Sequence, residues 1–158
     1  MRSVGQFDIR PARPADIPEV RRMVQEYVDW IGLDLAFQEI DAELAGLPGD
    51  YAPPRGALFV AEDGGRLIGM IGLRPFDAAI CEMKRLYVRP GARGRGLAKQ
   101  LIAAALDEAR RLQYSEIRLD TLPIMGDAQS LYLALGFADI PPYYDTPIAG
   151  TRFMSKKL

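Results

Sequence analysis

The amino-acid sequence predicts a mixed α/β domain. Two apolar runs, residues 57–62 and 66–74, flank the short turn Asp63-Gly64-Gly65, a pattern typical of a β-hairpin. Residues 94–113 carry apolar side chains at helical spacing on one face and charged side chains opposite, which predicts a long amphipathic helix. Segments of both kinds follow one another in the order β-α-α-β-β-β-α-β-α-β-β, as expected for a mixed α/β fold.

The first third of the chain is predicted to hold one strand and two helices. Residues 7–10 form a short strand that ends at Pro11, and Asp16 is the expected N-cap of a helix running to about Trp30. Residues 37–47 are predicted to form a second helix, closed by Pro48-Gly49. Residues 51–56 are expected to be a loop because prolines and glycine interrupt them.

The remaining elements follow the hairpin. Residues 80–89 predict a strand that ends at Pro90-Gly91, and residues 115–119 predict another strand after the long helix. Residues 127–135 predict a helix stopped by Gly136, and the chain returns to extended structure at Phe137, with a last strand at residues 151–155. No repeat or linker interrupts the pattern, so residues 1–158 are expected to form a single domain.

Charge and hydropathy exclude several classes of function. With 20 basic and 21 acidic residues the net charge is −1, which provides no overall field for holding nucleic acid or an anionic membrane. No apolar run approaches the roughly 20 residues that span a bilayer. The first six residues, Met1 to Gln6, lack the apolar core of a signal peptide, so a cytoplasmic location is expected.

Histidine is absent and cysteine occurs once, as Cys81. Ser-His-Asp and Cys-His catalysis are therefore excluded, and any acid or base must be a carboxylate, a tyrosine, a lysine or a relayed water. A single thiol without neighbouring Cys/His spacing predicts no metal site. Cys81 is expected to be a small buried apolar residue.

The segment Arg93-Gly94-Arg95-Gly96-Leu97-Ala98 predicts an anion-binding turn. It joins a strand to the start of the long helix, where unpaired backbone N–H groups carry roughly half a positive charge. Glycine lets a phosphate approach this backbone closely, and Arg93, Arg95 and Lys99 add positive charge. The expected ligand is a pyrophosphate.

Three kinds of phosphate-binding turn can be compared with this segment. A P-loop is absent, and the dinucleotide pattern Gly-x-Gly-x-x-Gly is only partly matched, since Gly94-x-Gly96 continues to Lys99 although Asp120 lies in the range of the acidic partner. The third comparison fits best. Arg93-x-x-Gly96-x-Ala98 resembles the Arg/Gln-x-x-Gly-x-Gly/Ala signature of the GNAT superfamily of N-acetyltransferases.

A second segment strengthens this resemblance. Leu131-Tyr132-Leu133-Ala134-Leu135-Gly136-Phe137 is similar to the Leu-Tyr-x-x-Leu-Gly-Phe helix end of the same superfamily, about 40 residues after the turn. The order and spacing of elements agree over nearly the whole chain. The resemblance implies a central mixed, mostly antiparallel sheet flanked by about four helices, and transfer of an acetyl group from acetyl-CoA to a primary amine by direct attack.

The resemblance also implies roles for individual residues. Leu86, Tyr87 and Val88 lie on the strand that offers backbone groups to the pantetheine arm and an N–H to the oxyanion. Residues 93–98 bind the pyrophosphate. Tyr132 faces the sulfur, and tyrosine, with an ordinary pKa of about 10, is a suitable acid for the departing thiolate.

The general base is open between two alternatives. Glu82 lies eleven residues before Arg93, where histone-type members carry a glutamate base, and strand alternation puts Glu82, Lys84, Leu86 and Val88 on one face unless a bulge intervenes. Alternatively, Glu82 is a structural charge paired with Lys84 or Arg85, and water relays the proton.

The sequence departs from the family pattern at Met125, where many relatives carry an asparagine that contacts the pantetheine. Backbone groups, Asp127 or Gln129 are the expected replacements, and Gln129 is included among the cofactor-binding residues.

The acceptor is expected to be a small-molecule or peptide amine, and a homodimer is compatible with the family. Acidic and aromatic side chains that suit a cationic amine occur in two regions, although each one singly is better explained as core or solvated surface. These candidates are Tyr27, Asp29, Trp30, Asp34, Phe37 and the segment Pro141-Pro142-Tyr143-Tyr144-Asp145. Two other functions are considered. An acetyl-CoA sensor with little activity would not need the acid that Tyr132 provides, and a dinucleotide-binding oxidoreductase domain is opposed by the missing third glycine and the short chain.

Overall fold

The computed structural model describes residues 7–33 and 39–158. Within them, seven strands form one sheet in the order β1-β2-β3-β4-β5-β7-β6. The strands are β1 (Asp8–Pro11), β2 (Ala57–Asp63), β3 (Arg66–Pro75), β4 (Ile80–Val88), β5 (Glu116–Thr121), β6 (Ala138–Asp139) and β7 (Arg152–Lys157). The α-helices are α1 (Ile17–Ile31), α2 (Ile40–Gly46), α3 (Leu97–Arg111) and α4 (Gly126–Ala134).

The predicted fold class and order of elements are confirmed. Every neighbouring pair of strands is antiparallel except β4 and β5, which run parallel, so the sheet is mixed and mostly antiparallel. The predicted hairpin is also present: Asp63 pairs with Arg66 across Gly64 and Gly65, whose φ angles are +59° and +85°. Positive φ at both central residues is typical of the turn that matches the twist of a hairpin.

One detail of the predicted helices is confirmed and another is wrong. Asp16 is the N-cap residue of α1, as predicted, although its carboxylate accepts a hydrogen bond from the Arg13 N–H at 2.7 Å, within the short 3₁₀ turn Pro14–Asp16, and not from an amide of the helix. The long helix begins at Leu97 rather than Gly94, because Gly94 and Gly96 have φ angles of +81° and +71°, which a right-handed helix does not allow.

The other borders differ by a few residues. β7 extends to Lys157, two residues past the predicted end, because it pairs with β5 along its whole length. Helix α2 starts at Ile40, and residues 34–38, with the predicted start of this helix, lie outside the described residues. The predicted loop 51–56 begins with the last residue of a 3₁₀ turn, Gly49–Tyr51.

Apolar side chains cover both faces of the sheet. Helix α3 packs on one face through a continuous buried stripe, and α1 packs on the other with Val20, Met23 and Val24. Cys81 is fully buried in the α3 layer, and burial raises the pKa of its thiol to about 12, so the interpretation as a small apolar residue holds. The stripe of α3 consists of Leu97, Leu101, Ile102, Ala105, Leu106 and Ala109.

A β-bulge divides β4 into two halves. Met70 pairs with Tyr87 and Gly72 with Lys84, so one more residue lies on β4 than on β3, and Arg85 has a φ of +61°. Side chains before and after the bulge therefore follow different alternation. Leu86 and Val88 pack toward the α3 layer, whereas Glu82 and Lys84 lie on the opposite face, and simple alternation, which would place all four together, is wrong here.

No helix among residues 7–33 and 39–158 is long and apolar enough to cross a membrane.

Candidate active site

The parallel strands β4 and β5 separate in the middle of the sheet. They pair only from Ile80 to Glu82 against Glu116 to Arg118, and beyond these residues β5 pairs with β7 alone. The gap opens into a cavity of about 870 Å³ that the second half of β4, the start of α3, α4 and α1 enclose. A cavity of this size is in the range of ordinary ligand sites.

One end of the cavity is built by the predicted turn. Gly94 and Gly96 both have positive φ angles, and a Cβ on either would point into open space rather than into protein. The N-cap of α3, Gly96, has no side chain, so the first amides of the helix are left for a ligand. Positive φ at both glycines therefore shapes a bare backbone surface that suits a phosphate group.

Arg93 lines this end of the cavity and is held in place. Its Nε donates to the Val88 carbonyl at 3.0 Å, and its guanidinium lies 5.3 Å from the ring centre of Trp30. Lys99 also lines the cavity, so both cations stand beside the helix N-terminus. This end of the cavity is thus positively charged, although the net charge of the whole chain is −1.

Two predicted cofactor-binding side chains point elsewhere. Arg95 donates to Asp63 at 3.1 Å in the β2–β3 turn and lies 5.2 Å from the ring centre of Phe7, outside the cavity lining. Gln129 donates to the Leu122 carbonyl at 2.9 Å and is also outside the lining. The lining does include the other predicted residues, namely Leu86, Tyr87, Val88, Arg93, Gly94, Gly96, Leu97 and Ala98, together with Met125 and Asp127.

Tyr132 lies on α4 and lines the same cavity. Its ring packs against Phe137 with ring centres 5.5 Å apart. Burial raises the pKa of its hydroxyl above the ordinary value, and the nearby Tyr27 and Asp120 raise it further. Tyr132 therefore keeps its proton at physiological pH, as a proton donor must.

Glu82 is placed away from the cavity lining. The residue is only 4% exposed, one carboxylate oxygen accepts from Arg74 Nε at 2.9 Å, and the other accepts from the Tyr143 hydroxyl at 2.6 Å. The predicted structural partners, Lys84 and Arg85, are not its partners, because both point to other carboxylates. Arg74, on the neighbouring strand β3, takes that place.

A second buried carboxylate does line the cavity. Asp120 accepts from Lys84 Nζ at 2.9 Å and from the Tyr144 hydroxyl at 2.6 Å. Burial alone would raise the pKa of Asp120, but the Lys84 charge and the Tyr144 hydrogen bond outweigh it and lower that pKa below its ordinary value. Asp120 is thus ionised, and with Lys84 it forms a charged pair across the gap between β4 and β5.

Arg85 forms a third buried cluster beside the cavity. Glu43 of α2 accepts from its Nε at 2.8 Å and its Nη2 at 3.0 Å, and the Tyr51 hydroxyl donates to the same carboxylate at 3.1 Å. The three clusters share one composition, in which a cation and a tyrosine hydroxyl both contact one carboxylate. The sequence did not predict these clusters, since each joins strands or helices that are distant along the chain.

The residues predicted to contact the acceptor are only partly brought together. Tyr27 and Trp30 line the cavity, and burial raises the pKa of Tyr27 to about 12, with Arg85 opposing the rise. Asp29 lies outside the lining, where Gln25 donates to it at 2.9 Å. Asp34 and Phe37 lie outside the described residues. From the segment after β6, Tyr143 and Tyr144 reach Glu82 and Asp120.

Comparison with known proteins agrees with this geometry. The chain matches the family model "Acetyltransferase (GNAT) family" over residues 19–137. It is 41% identical over 143 residues to an uncharacterised N-acetyltransferase of Schizosaccharomyces pombe, covering 89% of this chain and 88% of the relative. It is 32% identical over 130 residues to an uncharacterised N-acetyltransferase of Escherichia coli, covering 79% of this chain and 78% of the relative.

A solved structure shows the same fold. The PaiA N-acetyltransferase of Thermoplasma acidophilum, in complex with coenzyme A, superimposes with a TM-score of 0.75 at 21% identity, covering 97% of this chain and 99% of that one.

The split sheet and the bare backbone turn at its opening suit a protein that binds a phosphate-bearing coenzyme, and the comparisons define that protein as an acetyltransferase. The chain belongs to the GNAT family of acetyltransferases and is an N-acetyltransferase with acetyl-CoA as its acetyl donor. The predicted family, fold, enzyme class and donor are confirmed.

Proposed function

We propose that acetyl-CoA lies along the cavity with its pyrophosphate at residues 93–98 and its thioester beside Tyr132. One observation carries this proposal: a single cavity extends from the glycine turn at the start of α3 to the tyrosine on α4. Backbone amides of the turn and the guanidinium of Arg93 bind the pyrophosphate. The second half of β4, at Leu86, Tyr87 and Val88, offers backbone groups to the pantetheine arm in the gap that β5 leaves.

The reaction is direct attack of a neutral primary amine on the thioester carbon. The new N–C bond forms as the carbonyl oxygen becomes an oxyanion, which a backbone N–H of β4 stabilises. The C–S bond then breaks, Tyr132 gives its proton to the sulfur, and the amide nitrogen loses a proton to water. Tyr132 carries its proton at physiological pH and can donate it as the thiolate leaves, although the burial that raises its pKa also makes it a weaker acid than an exposed tyrosine.

Of the two alternatives for the general base, the geometry supports the water relay over Glu82. Both oxygens of Glu82 accept hydrogen bonds, and the side chain is not part of the cavity lining. Glu82 instead holds the Tyr143 segment against β4. A small-molecule or peptide amine as acceptor, a homodimer and a cytoplasmic location are proposed on sequence grounds alone.

Release of coenzyme A from acetyl-CoA, measured across a panel of primary amines, tests the proposal. For Tyr132→Phe we expect kcat to fall about a hundredfold or more, the range of one general acid, while the KM for acetyl-CoA changes little because the ring remains. Tyr114→Phe is the matched control, since Tyr114 is equally buried but its hydroxyl donates to the Arg55 carbonyl, away from the cavity.

Binding is measured separately. Acetyl-CoA is expected to raise the melting temperature of both variants, as it does for the wild type. Binding without turnover of any amine would favour an acetyl-CoA sensor instead. Equal losses of kcat in the Tyr132 and Tyr114 variants would contradict the role of Tyr132 as the acid.

A further inference from the structure

The side chain of Arg95 connects the pyrophosphate turn, residues 93–98, to the β2–β3 hairpin. Its backbone lies between Gly94 and Gly96, whose φ angles are +81° and +71°. Its Nη2 donates to Asp63 Oδ2 at 3.1 Å, and its guanidinium lies 5.2 Å from the ring centre of Phe7. A turn at the cavity is thus tied to a hairpin that lies outside the cavity lining.

The hairpin is a firm anchor for this contact. Asp63 is the last residue of β2 and is paired with β3 across the two-glycine turn. The start of α3 packs directly on the same hairpin, since a Cβ on Gly69 of β3 would lie only 3.2 and 3.3 Å from side-chain atoms of Leu101 and Leu97. Because this close approach fixes α3 against β3, Arg95 can reach Asp63 from the turn that precedes the helix.

The turn gains from such an anchor because it is rich in glycine. Glycine loses more conformational freedom than any other residue when its backbone is fixed, and two of the three residues from Gly94 to Gly96 are glycines. Fixing this backbone around a phosphate therefore costs entropy. A contact that already holds the turn in the free protein removes part of that cost from binding. Arg95 stands between the two glycines, so its anchored side chain restrains both.

Charge alone does not give the Arg95–Asp63 pair a role in binding. Arg93 and Lys99 line the cavity, so their charges act on the coenzyme directly. The charge of Arg95 is balanced by the Asp63 carboxylate at 3.1 Å. A carboxylate near the turn repels an anionic ligand, so the pair can favour the coenzyme only through the position in which it holds the turn.

We propose that the Arg95–Asp63 ion pair holds the pyrophosphate turn in its phosphate-binding conformation. Both residues are then positioning residues for acetyl-CoA, and the Arg95 side chain acts through the backbone of the turn without contacting the coenzyme. This inference rests on the proposed function, which puts the pyrophosphate at residues 93–98. It adds the β2–β3 hairpin, outside the cavity, as a determinant of coenzyme affinity.

Calorimetric titration with coenzyme A tests the inference through the sign of one change. In Asp63→Asn we expect the Kd to rise about two- to fivefold, the range that a partly exposed ion pair contributes. Charge alone predicts a lower Kd, because a carboxylate is removed, and so does a released Arg95 that turns to the phosphate. In Arg95→Gln, which also has a raised Kd, adding Asp63→Asn should cause no further rise, because the pair is already broken.

Two further variants and one kinetic measurement complete the test. Asp139→Asn removes the carboxylate of another arginine ion pair, outside the cavity lining, and should leave the Kd unchanged. Arg95→Lys keeps a cation that can pair with Asp63 and should bind within about twofold of the wild type, but not when Asp63→Asn is added. In Asp63→Asn the KM for acetyl-CoA should rise with the Kd while kcat stays unchanged, because the thioester end of the cavity is not altered.

The outcomes separate this inference from the proposed function. An unchanged or lower Kd in Asp63→Asn, or an equal rise with and without Arg95, would overturn the inference alone. Gly96→Ala serves as the reference, because it adds a Cβ to the turn itself. If Gly96→Ala also left the Kd unchanged, or if the wild type did not bind coenzyme A, the proposed placement of the coenzyme would be overturned as well.

Discussion

The two ends of the cavity are built in different ways. The end at residues 93–98 is mostly backbone, with two glycines at positive φ and a bare helix N-terminus. The opposite end is built from side chains, in which Lys84, Arg85 and Asp120 each belong to a buried charged cluster. The first end suits a ligand part that every reaction shares, the pyrophosphate. The second is a set of side chains held in place by charge pairs, which single substitutions can alter.

Loss of a buried charge should have the largest effect on stability. In Glu43→Ala the guanidinium of Arg85, which is 2% exposed, loses its carboxylate, and we expect the free energy of unfolding to fall by roughly 3–5 kcal/mol. Urea unfolding measures the change. Asp107→Ala, which removes the exposed contact with Arg110, should cost less than about 1 kcal/mol. Similar losses in both variants would show that the charged clusters do not support this end of the cavity.

Adding a side chain at residues 93–98, the end of the cavity that is built from backbone, should have an intermediate effect on stability. Gly96→Ala and Gly64→Ala both place a Cβ at positive φ in open space, so each should lose about 1–2 kcal/mol of stability. Only Gly96→Ala should also raise the KM for acetyl-CoA, by about tenfold, because its Cβ stands where the phosphate approaches. An unchanged KM in Gly96→Ala would contradict the backbone description of this end.

The cation–π contact between Arg93 and Trp30 should have the smallest effect. Trp30 is 41% exposed, and such a contact at an exposed site contributes about 0.5–1 kcal/mol. We therefore expect Trp30→Leu to raise the KM for acetyl-CoA by roughly two- to fivefold, with kcat unchanged, in the coenzyme A release assay. A larger rise would mean that side chains contribute more to the backbone end than the geometry indicates.

The difference between the two ends of the cavity also explains how much of the site the sequence could predict. The turn at Gly94 and Gly96 and the helix end at Tyr132 are continuous segments, so local patterns identified them and the order of elements around them. The Lys84–Asp120 pair joins residues 36 positions apart, and only the register of two separated strands brings them together. No local pattern contains that information.

Side-chain direction was predictable only where the backbone is regular. Arg95 belongs to the turn motif, but it lies between two glycines at positive φ, and its guanidinium points to Asp63 instead of the cavity. Glu82 and Leu86 would share a face in a regular strand, and the extra residue in β4 separates them. In both places a local left-handed conformation decides the direction, which neither composition nor spacing determines.

The bulge at Arg85 has a consequence for the engineering of β4. Upstream of it, Lys84 lies on the face opposite α3, and downstream Leu86 and Val88 face the α3 layer, while all three residues line the cavity. The bulge puts the side-chain alternation of the two halves of β4 out of phase. Substitutions in one half therefore leave the side-chain directions of the other half unchanged. The two halves of β4, and the parts of the cavity wall that they form, can thus be varied separately on one strand.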